Sequence, residues 1–174
     1  MKYVYLSVGG AALSACMSPV AVPEGTIPFS QVLAETSDRP YECFNYDANT
    51  NTCTGYATHE AQGDGRYVAR SVARLSADVP VVQATYLVVE RGQTVCSVLS
   101  TMVLQFNGDA GLDAELGLAA FESEIREREE TCYVYSRTAV GFRSQVVSGS
   151  DAALENPISE YHYFNSPKPL RVRE

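Results

Sequence analysis

Two consecutive segments rich in β-branched residues, 79–90 and 93–106, constrain the fold of this chain most strongly. They are separated only by Arg91 and Gly92, and a short connection that contains glycine is typical of a β-hairpin. We therefore predict two long antiparallel strands here. In the second strand the even-numbered residues from Cys96 to Phe106 share one face, and we expect this face to point into the core.

Shorter strand patterns precede and follow this hairpin. Residues 41–46 and 53–59 flank a polar turn, and a second turn at 63–65 leads into residues 66–75, which we interpret as a strand although their arginines also recur at helical spacing. Towards the C-terminus we predict one long strand at 133–147, a helical turn at 151–156 and a last strand at 158–164. This order of short strands favours an antiparallel meander.

One segment, residues 113–130, has helical periodicity. Two Glu–Arg pairs have i, i+4 spacing, and the apolar residues form one stripe: Ala114, Leu118, Phe121 and Ile125. Together with the strand patterns, this segment predicts an α+β fold, in which an antiparallel β-meander of five to seven strands carries one main helix packed on a face.

The N-terminus has the arrangement of an export signal. Lys2 is followed by a mostly apolar run that is too short to span a bilayer and ends in small residues. The sequence Leu13-Ser14-Ala15-Cys16 resembles the lipobox of bacterial lipoproteins. The resemblance implies a signal peptide at residues 1–15 and a lipidated Cys16 that anchors the protein in the membrane. An ordinary secretory leader and an N-terminal strand are the alternatives.

The same resemblance implies a location. Met17 follows the lipidated cysteine, and by analogy with enteric lipoproteins this favours the outer membrane, with the protein facing the periplasm. The prolines of residues 16–40 predict a flexible tether, in which residues 29–35 could dock on the domain as a short helix or strand. Residues 41–174 predict a single globular domain.

If Cys16 carries lipid, an even number of cysteines remains: Cys43, Cys53, Cys96 and Cys132. In an exported protein such a set predicts disulfides. Three pairings are possible. We favour Cys43 with Cys53, because they flank the polar turn, and Cys96 with Cys132, because they close a loop around the predicted helix.

Composition and motifs exclude several classes of function. A net charge of -8 disfavours binding to nucleic acid and to anionic membrane surfaces. Residues Asp47, Asn49 and Asn51 have the opening spacing of a calcium loop, but Thr52 and Thr58 stand where that loop requires glycine and glutamate. With few histidines and no closely spaced cysteine pair, we predict no metal and no cofactor.

A catalytic site is not expected either. His59 with Glu60 and Asp64 could supply a general base and an orienting carboxylate, yet no nucleophile motif accompanies them. His162 is interpreted as a partly buried strand residue. We therefore predict that the protein is not an enzyme.

Two pairs of tyrosines are the candidates for a partner or ligand surface. On strands, Tyr133 with Tyr135 and Tyr161 with Tyr163 lie on common faces. We expect an envelope lipoprotein that binds a protein partner as a non-catalytic accessory or assembly factor. The alternative is a periplasmic module that binds a small ligand or glycan, and such a module requires an enclosed cavity of about 300 Å3 or more.

Overall fold

The computed structural model describes residues 23–128, 130–149 and 158–172. The leader, Cys16 and the predicted helical turn at 151–156 lie outside these residues. The elements, in chain order, are β1 (Thr26–Ile27), α1 (Phe29–Glu35), β2 (Tyr41–Phe44), β3 (Gly55–Gly63), β4 (Arg66–Ala73), β5 (Val82–Arg91), β6 (Thr94–Phe106), α2 (Leu112–Arg126), β7 (Thr131–Arg137), β8 (Phe142–Ser148) and β9 (Ile158–Phe164).

Strands β2 to β9 form one closed antiparallel sheet. Each strand pairs with the next along the chain, and β9 returns to pair with β2, so that Glu42 lies opposite Tyr163. The predicted hairpin of β5 and β6 is part of this arrangement, with Arg91 opposite Thr94. A closed sheet of eight strands is wide enough either to be filled by its own side chains or to hold one small ligand.

The first two elements close one end of this sheet. Strand β1 pairs with β7 at Tyr135 and Ser136, beyond the residues of β7 that pair with β6. Helix α1 then enters the opening, where Phe29 and Val32 are fully buried. The expectation that residues 29–35 dock on the domain is confirmed, and the part of the predicted tether from Thr26 onward belongs to the folded domain.

Polar contacts hold α1 in place. The Glu90 carboxylate accepts hydrogen bonds from the backbone N–H and the hydroxyl of Ser30, at 3.2 and 2.9 Å, and from the Tyr67 hydroxyl at 3.0 Å. At the other end of the helix, Glu35 forms an ion pair with Arg137 of β7. The helix is therefore tied at both ends to strands of the closed sheet.

Helix α2 packs against β6, beyond the residues of this strand that pair with β7. The Glu122 carboxylate accepts a hydrogen bond from the backbone N–H of Leu104 at 2.6 Å, and Arg126 donates to the Ser100 carbonyl at 3.1 Å. Leu118 is the buried residue of this helix. Neither α1 nor α2 has the length and the apolar character of a transmembrane helix.

Both predicted disulfides are confirmed. Cys43–Cys53 closes the connection between β2 and β3, and Cys96–Cys132 joins directly paired residues of β6 and β7. The second bridge encloses α2, so it fixes the chain to the sheet immediately after the helix ends.

The predicted α+β class is wrong, because the protein is predominantly β. The core lies inside the closed sheet and is formed by the strands together with α1, whereas the main helix supplies none of the residues of this core cluster and contacts β6 beyond its pairing with β7. The segment predicted as one strand at 133–147 forms β7 and β8, which pair with each other across a turn stabilised by the Thr138 hydroxyl. In the first half of β6 the inward face is opposite to the prediction, because Val95 and Ser97 line the interior. Beyond the irregular pairing with β5, the predicted residues Met102, Leu104 and Phe106 are less exposed than their neighbours.

Candidate functional site

A cavity of about 560 Å3 occupies the interior of the closed sheet. Phe29 of α1 lines its inner end, and the opposite end is lined by residues at or beyond strand termini, among them Phe44, Arg74 and Leu75. Leu75 is 55% exposed, so this second end reaches the protein surface. The inward-pointing residues of the strands line the wall between the two ends.

Local sequence explains why these side chains point inward. Alternation along β3 directs Gly55, Ala57 and His59 to the interior, while their neighbours face out. Glycine and alanine fill little of the interior, which leaves room between β3 and the tyrosines across the cavity. The same alternation in β2 turns Glu42 inward, although a glutamate on a short strand is normally a surface residue.

Glu42, His59 and Tyr135 form a polar cluster near the inner end of the cavity. The Tyr135 hydroxyl donates a hydrogen bond to Glu42 Oε1 at 3.3 Å. His59 Nδ1 lies 3.6 Å from Glu42 Oε2, and its ring packs edge-on against Phe29 at a centroid distance of 4.9 Å. Glu42 is only 2% exposed. The cluster therefore lies where α1 closes the sheet.

Burial controls the ionisation of this cluster. Loss of water around the carboxyl raises the pKa of Glu42 to about 7, although the hydroxyls of Tyr135 and Tyr163 lower it in part. Burial also lowers the pKa of His59 to about 4, so the imidazole is neutral at physiological pH. A carboxyl that titrates near pH 7 thus has a neutral histidine beside it.

The four tyrosines identified in the sequence all lie inside the sheet. Tyr133, Tyr135 and Tyr161 line the cavity, and Tyr163 belongs to the buried core around α1. The Tyr161 hydroxyl accepts a hydrogen bond from Ser144 at 3.1 Å, and burial raises the pKa of this tyrosine to about 12. These side chains face an internal cavity, so they do not form an outer surface for a protein partner.

One cationic side chain lines the cavity at its open end. Arg74 directly follows β4, and its Nε atom is buried without a hydrogen-bond partner among the described residues. The guanidinium is therefore the only permanently charged cation that lines the cavity within the described part of the chain. It is placed to meet an anionic group at the entrance.

No protein-family model matches the chain, and no curated protein or solved structure is significantly similar to it. The cavity and its side chains are therefore the basis for the function proposed below.

The side chains of the other candidate sites form hydrogen bonds or ion pairs with neighbouring residues of the chain. The Asp47 carboxylate accepts hydrogen bonds from the Asn49 backbone N–H at 2.8 Å and from the Thr50 hydroxyl at 2.9 Å, as in a polar turn closed by the first disulfide. Glu60, considered as a carboxylate partner of His59, faces outward and forms an ion pair with Arg70 at 2.7 Å.

Cys96, Glu130 and Cys132 lie close enough together to suggest a metal site by distance alone. Both cysteine sulfurs are bonded to each other in the disulfide, so neither is a thiolate ligand. This group is therefore a structural one.

The sequence patterns do not identify Glu42 as a residue of the site. A glutamate between Tyr41 and Cys43 carries no motif, and the partner of His59 comes from another strand rather than from the neighbouring positions. The available signal was alternation: Glu42 shares a strand face with Phe44, which is unusual for a solvated carboxylate.

Proposed function

We propose that this protein is a non-catalytic binding protein that holds one small amphipathic molecule inside its closed sheet. The observation that carries the proposal is the internal cavity of about 560 Å3. Its volume lies within the range of about 300 to 1,000 Å3 that small-molecule sites occupy. The wall combines aromatic and aliphatic side chains with several polar groups, an arrangement that gives affinity through the apolar surface and orientation through the polar groups.

The architecture supports this role. Two disulfides, one in the β2–β3 connection and one between β6 and β7, stiffen the wall. Helix α1 closes the inner end, so a molecule would enter at the end lined by Phe44, Arg74 and Leu75. A cavity that exists before the ligand arrives avoids the free-energy cost of forming it on binding.

The location remains part of the proposal. The lipobox resemblance at Cys16 is its support, and it implies a domain held at the outer membrane and facing the periplasm. A lipid-anchored binding domain would sequester or present a small molecule beside the membrane.

Filling the cavity is expected to weaken binding strongly. Ala57 is 1% exposed and lines the cavity, so Ala57→Phe places a ring in the space that a ligand needs. We expect one-site saturable binding of N-phenyl-1-naphthylamine, a neutral probe whose fluorescence rises in apolar surroundings. The variant should bind it at least about tenfold more weakly, which corresponds to about 1.4 kcal/mol. Fluorescence titration measures both affinities.

Ala61→Phe is the matched control. Ala61 lies on the same strand but is exposed, so the same substitution leaves the cavity volume unchanged and should preserve binding. If the natural chain shows no saturable binding, or if both variants bind like the natural chain, the proposed function is wrong.

A second candidate is the accessory role, in which the protein binds a protein partner. The observation in its favour is on the outer face of α2, where Leu112 is 70% and Leu116 is 61% exposed. Apolar side chains exposed together on one helix face are typical of contact surfaces. In-cell crosslinking of the tagged chain should capture one envelope protein, and the double variant Leu112→Glu/Leu116→Glu should lose it. Capture that both chains share equally would exclude this face.

A further inference from the structure

Within the part of the chain that the structure describes, Glu42 is a buried carboxyl without a permanently cationic partner. Among the described residues, the basic side chain within 4 Å of it is His59, and that imidazole is neutral near pH 7. The Tyr135 hydroxyl donates a long hydrogen bond to Glu42 at 3.3 Å. The buried Tyr163 hydroxyl opposite is near enough to lower the pKa of Glu42, although its geometry does not meet that of a full hydrogen bond. Burying a carboxylate without a counter-charge is costly, so this group is a strong site for an incoming cation.

Aromatic side chains surround the same position. The rings of Tyr135 and Tyr161 lie 6.0 Å apart between centroids, and Phe29 lies 5.2 Å from Tyr135. Tyr86 and Tyr133 extend this wall toward the open end. Aromatic faces attract ammonium groups, and the attraction is strongest where water is excluded. A carboxyl beside several aromatic rings is the combination that recognises an organic ammonium.

Resting on the proposed function, we propose that the ligand is an organic amine whose ammonium group binds Glu42 among the tyrosines while its apolar body fills the cavity. Arg74 argues for an anionic ligand, but among its nitrogens only Nε is buried without a partner, and the side chain is partly exposed at the open end, whereas Glu42 is enclosed. The net charge of -8 also attracts cations and repels anions at long range.

Binding of an ammonium has a proton balance that can be measured. The ligand enters protonated, Glu42 must be ionised to pair with it, and any proton held by the carboxyl leaves to solvent. The groups that face Glu42 do not take this proton near pH 7, because His59 on β3 stays neutral. Burial raises the pKa of the neighbouring tyrosines, which are Tyr86, Tyr135, Tyr161 and Tyr163. Because the pKa of Glu42 is about 7, amine affinity should rise about tenfold from pH 6 to pH 8.

The test compares three probes of one shape: 4-phenylbutylamine, 4-phenylbutanol and 4-phenylbutyrate. Isothermal titration of the natural chain at pH 7, repeated in buffers with different ionisation enthalpies, gives affinity and proton release together. We expect the amine to bind about tenfold or more tightly than the alcohol, with release of about half a proton per amine, and the carboxylate to bind most weakly. The alcohol should release no protons.

Glu42→Gln supplies the test of the site, and Glu60→Gln is its control. Glutamine keeps the shape of the buried side chain, so Glu42→Gln should reduce amine affinity to that of the alcohol and abolish proton release. Glu60 lies on the outer face of the neighbouring strand, and its substitution removes the same charge without touching the cavity. The alcohol should bind both variants equally, which shows that each has folded.

Failure of this inference is distinguishable from failure of the proposed function. Equal affinity for amine and alcohol, tighter binding of the carboxylate, or binding of the naphthylamine probe but none of the three compounds would overturn the amine inference and leave a small-molecule cavity in place. If neither the naphthylamine probe nor any of the three compounds binds, both proposals fall. Proton release by the natural chain is decisive even if Glu42→Gln does not fold.

Discussion

Phe29→Ala is expected to lower the free energy of unfolding by about 3 to 5 kcal/mol, the usual cost of truncating a fully buried phenylalanine. Phe29 is 2% exposed and makes ring contacts with His59, Tyr67 and Tyr135, which lie on three different strands. Alanine would remove these contacts and leave a cavity at the end of the sheet where α1 enters. Urea denaturation of the disulfide-bonded protein measures the difference.

Phe121→Ala is the matched control for this substitution. Phe121 lies on helix α2 and is 45% exposed, so its truncation should cost no more than about 1 kcal/mol. Similar losses in the two variants would mean that α1 does not close the sheet. Phe29→Ala should also enlarge the inner end of the cavity, and we expect the bound naphthylamine probe to dissociate faster from it.

The local elements of this fold were predictable, but closure of the sheet was not. Residues 93–106 carry strong strand and turn signals, so the β5–β6 hairpin followed from neighbouring residues. Closure depends on the pairing of β2 with β9, in which Tyr41 meets Phe164 across most of the chain. No local pattern encodes such a contact. The regular apolar stripe of α2 predicts that this helix forms a layer of the core. In the structure, the side chains of the interior come from the strands and from α1.

The site was missed for a related reason. The tyrosines were identified as pairs on strand faces, which is correct, but whether such a face points outward or into a cavity depends on closure. Aromatic and β-branched side chains occur on both sides of Thr138–Gly141, so Gly141 is the one clear sequence signal of the turn between β7 and β8. Glu42 meets Tyr135 across 93 positions of sequence. A polar cluster assembled by long-range pairing has no sequence spacing to detect.

The stability of the protein should depend on pH through Glu42 and His59 in opposite directions. Glu42 has a folded-state pKa of about 7, raised from 4.5. The contribution of its protonated form to stability is therefore fully present below pH 4.5 and is lost as the pH rises through 7. His59 has a folded-state pKa of about 4, lowered from 6.5. The contribution of its neutral form to stability is therefore present above pH 6.5 and is lost as the pH falls toward 4. The two effects oppose each other between pH 4.5 and 6.5.

Glu42→Gln should separate the contributions of Glu42 and His59 to the pH dependence of stability. The variant lacks the carboxyl that is costly to ionise in the interior, so relative to the natural chain it should gain about 2 to 3 kcal/mol in free energy of unfolding from pH 5 to pH 8. With His59 left as the main titrating group of the cluster, its own stability should rise between pH 4 and 6.5. Urea denaturation at several pH values measures both curves.

Glu60→Gln, whose side chain is more than half exposed, should follow the natural chain throughout. Parallel curves for Glu42→Gln and the natural chain would contradict a carboxyl that keeps its proton inside the closed sheet, and would remove the physical basis for ammonium recognition there.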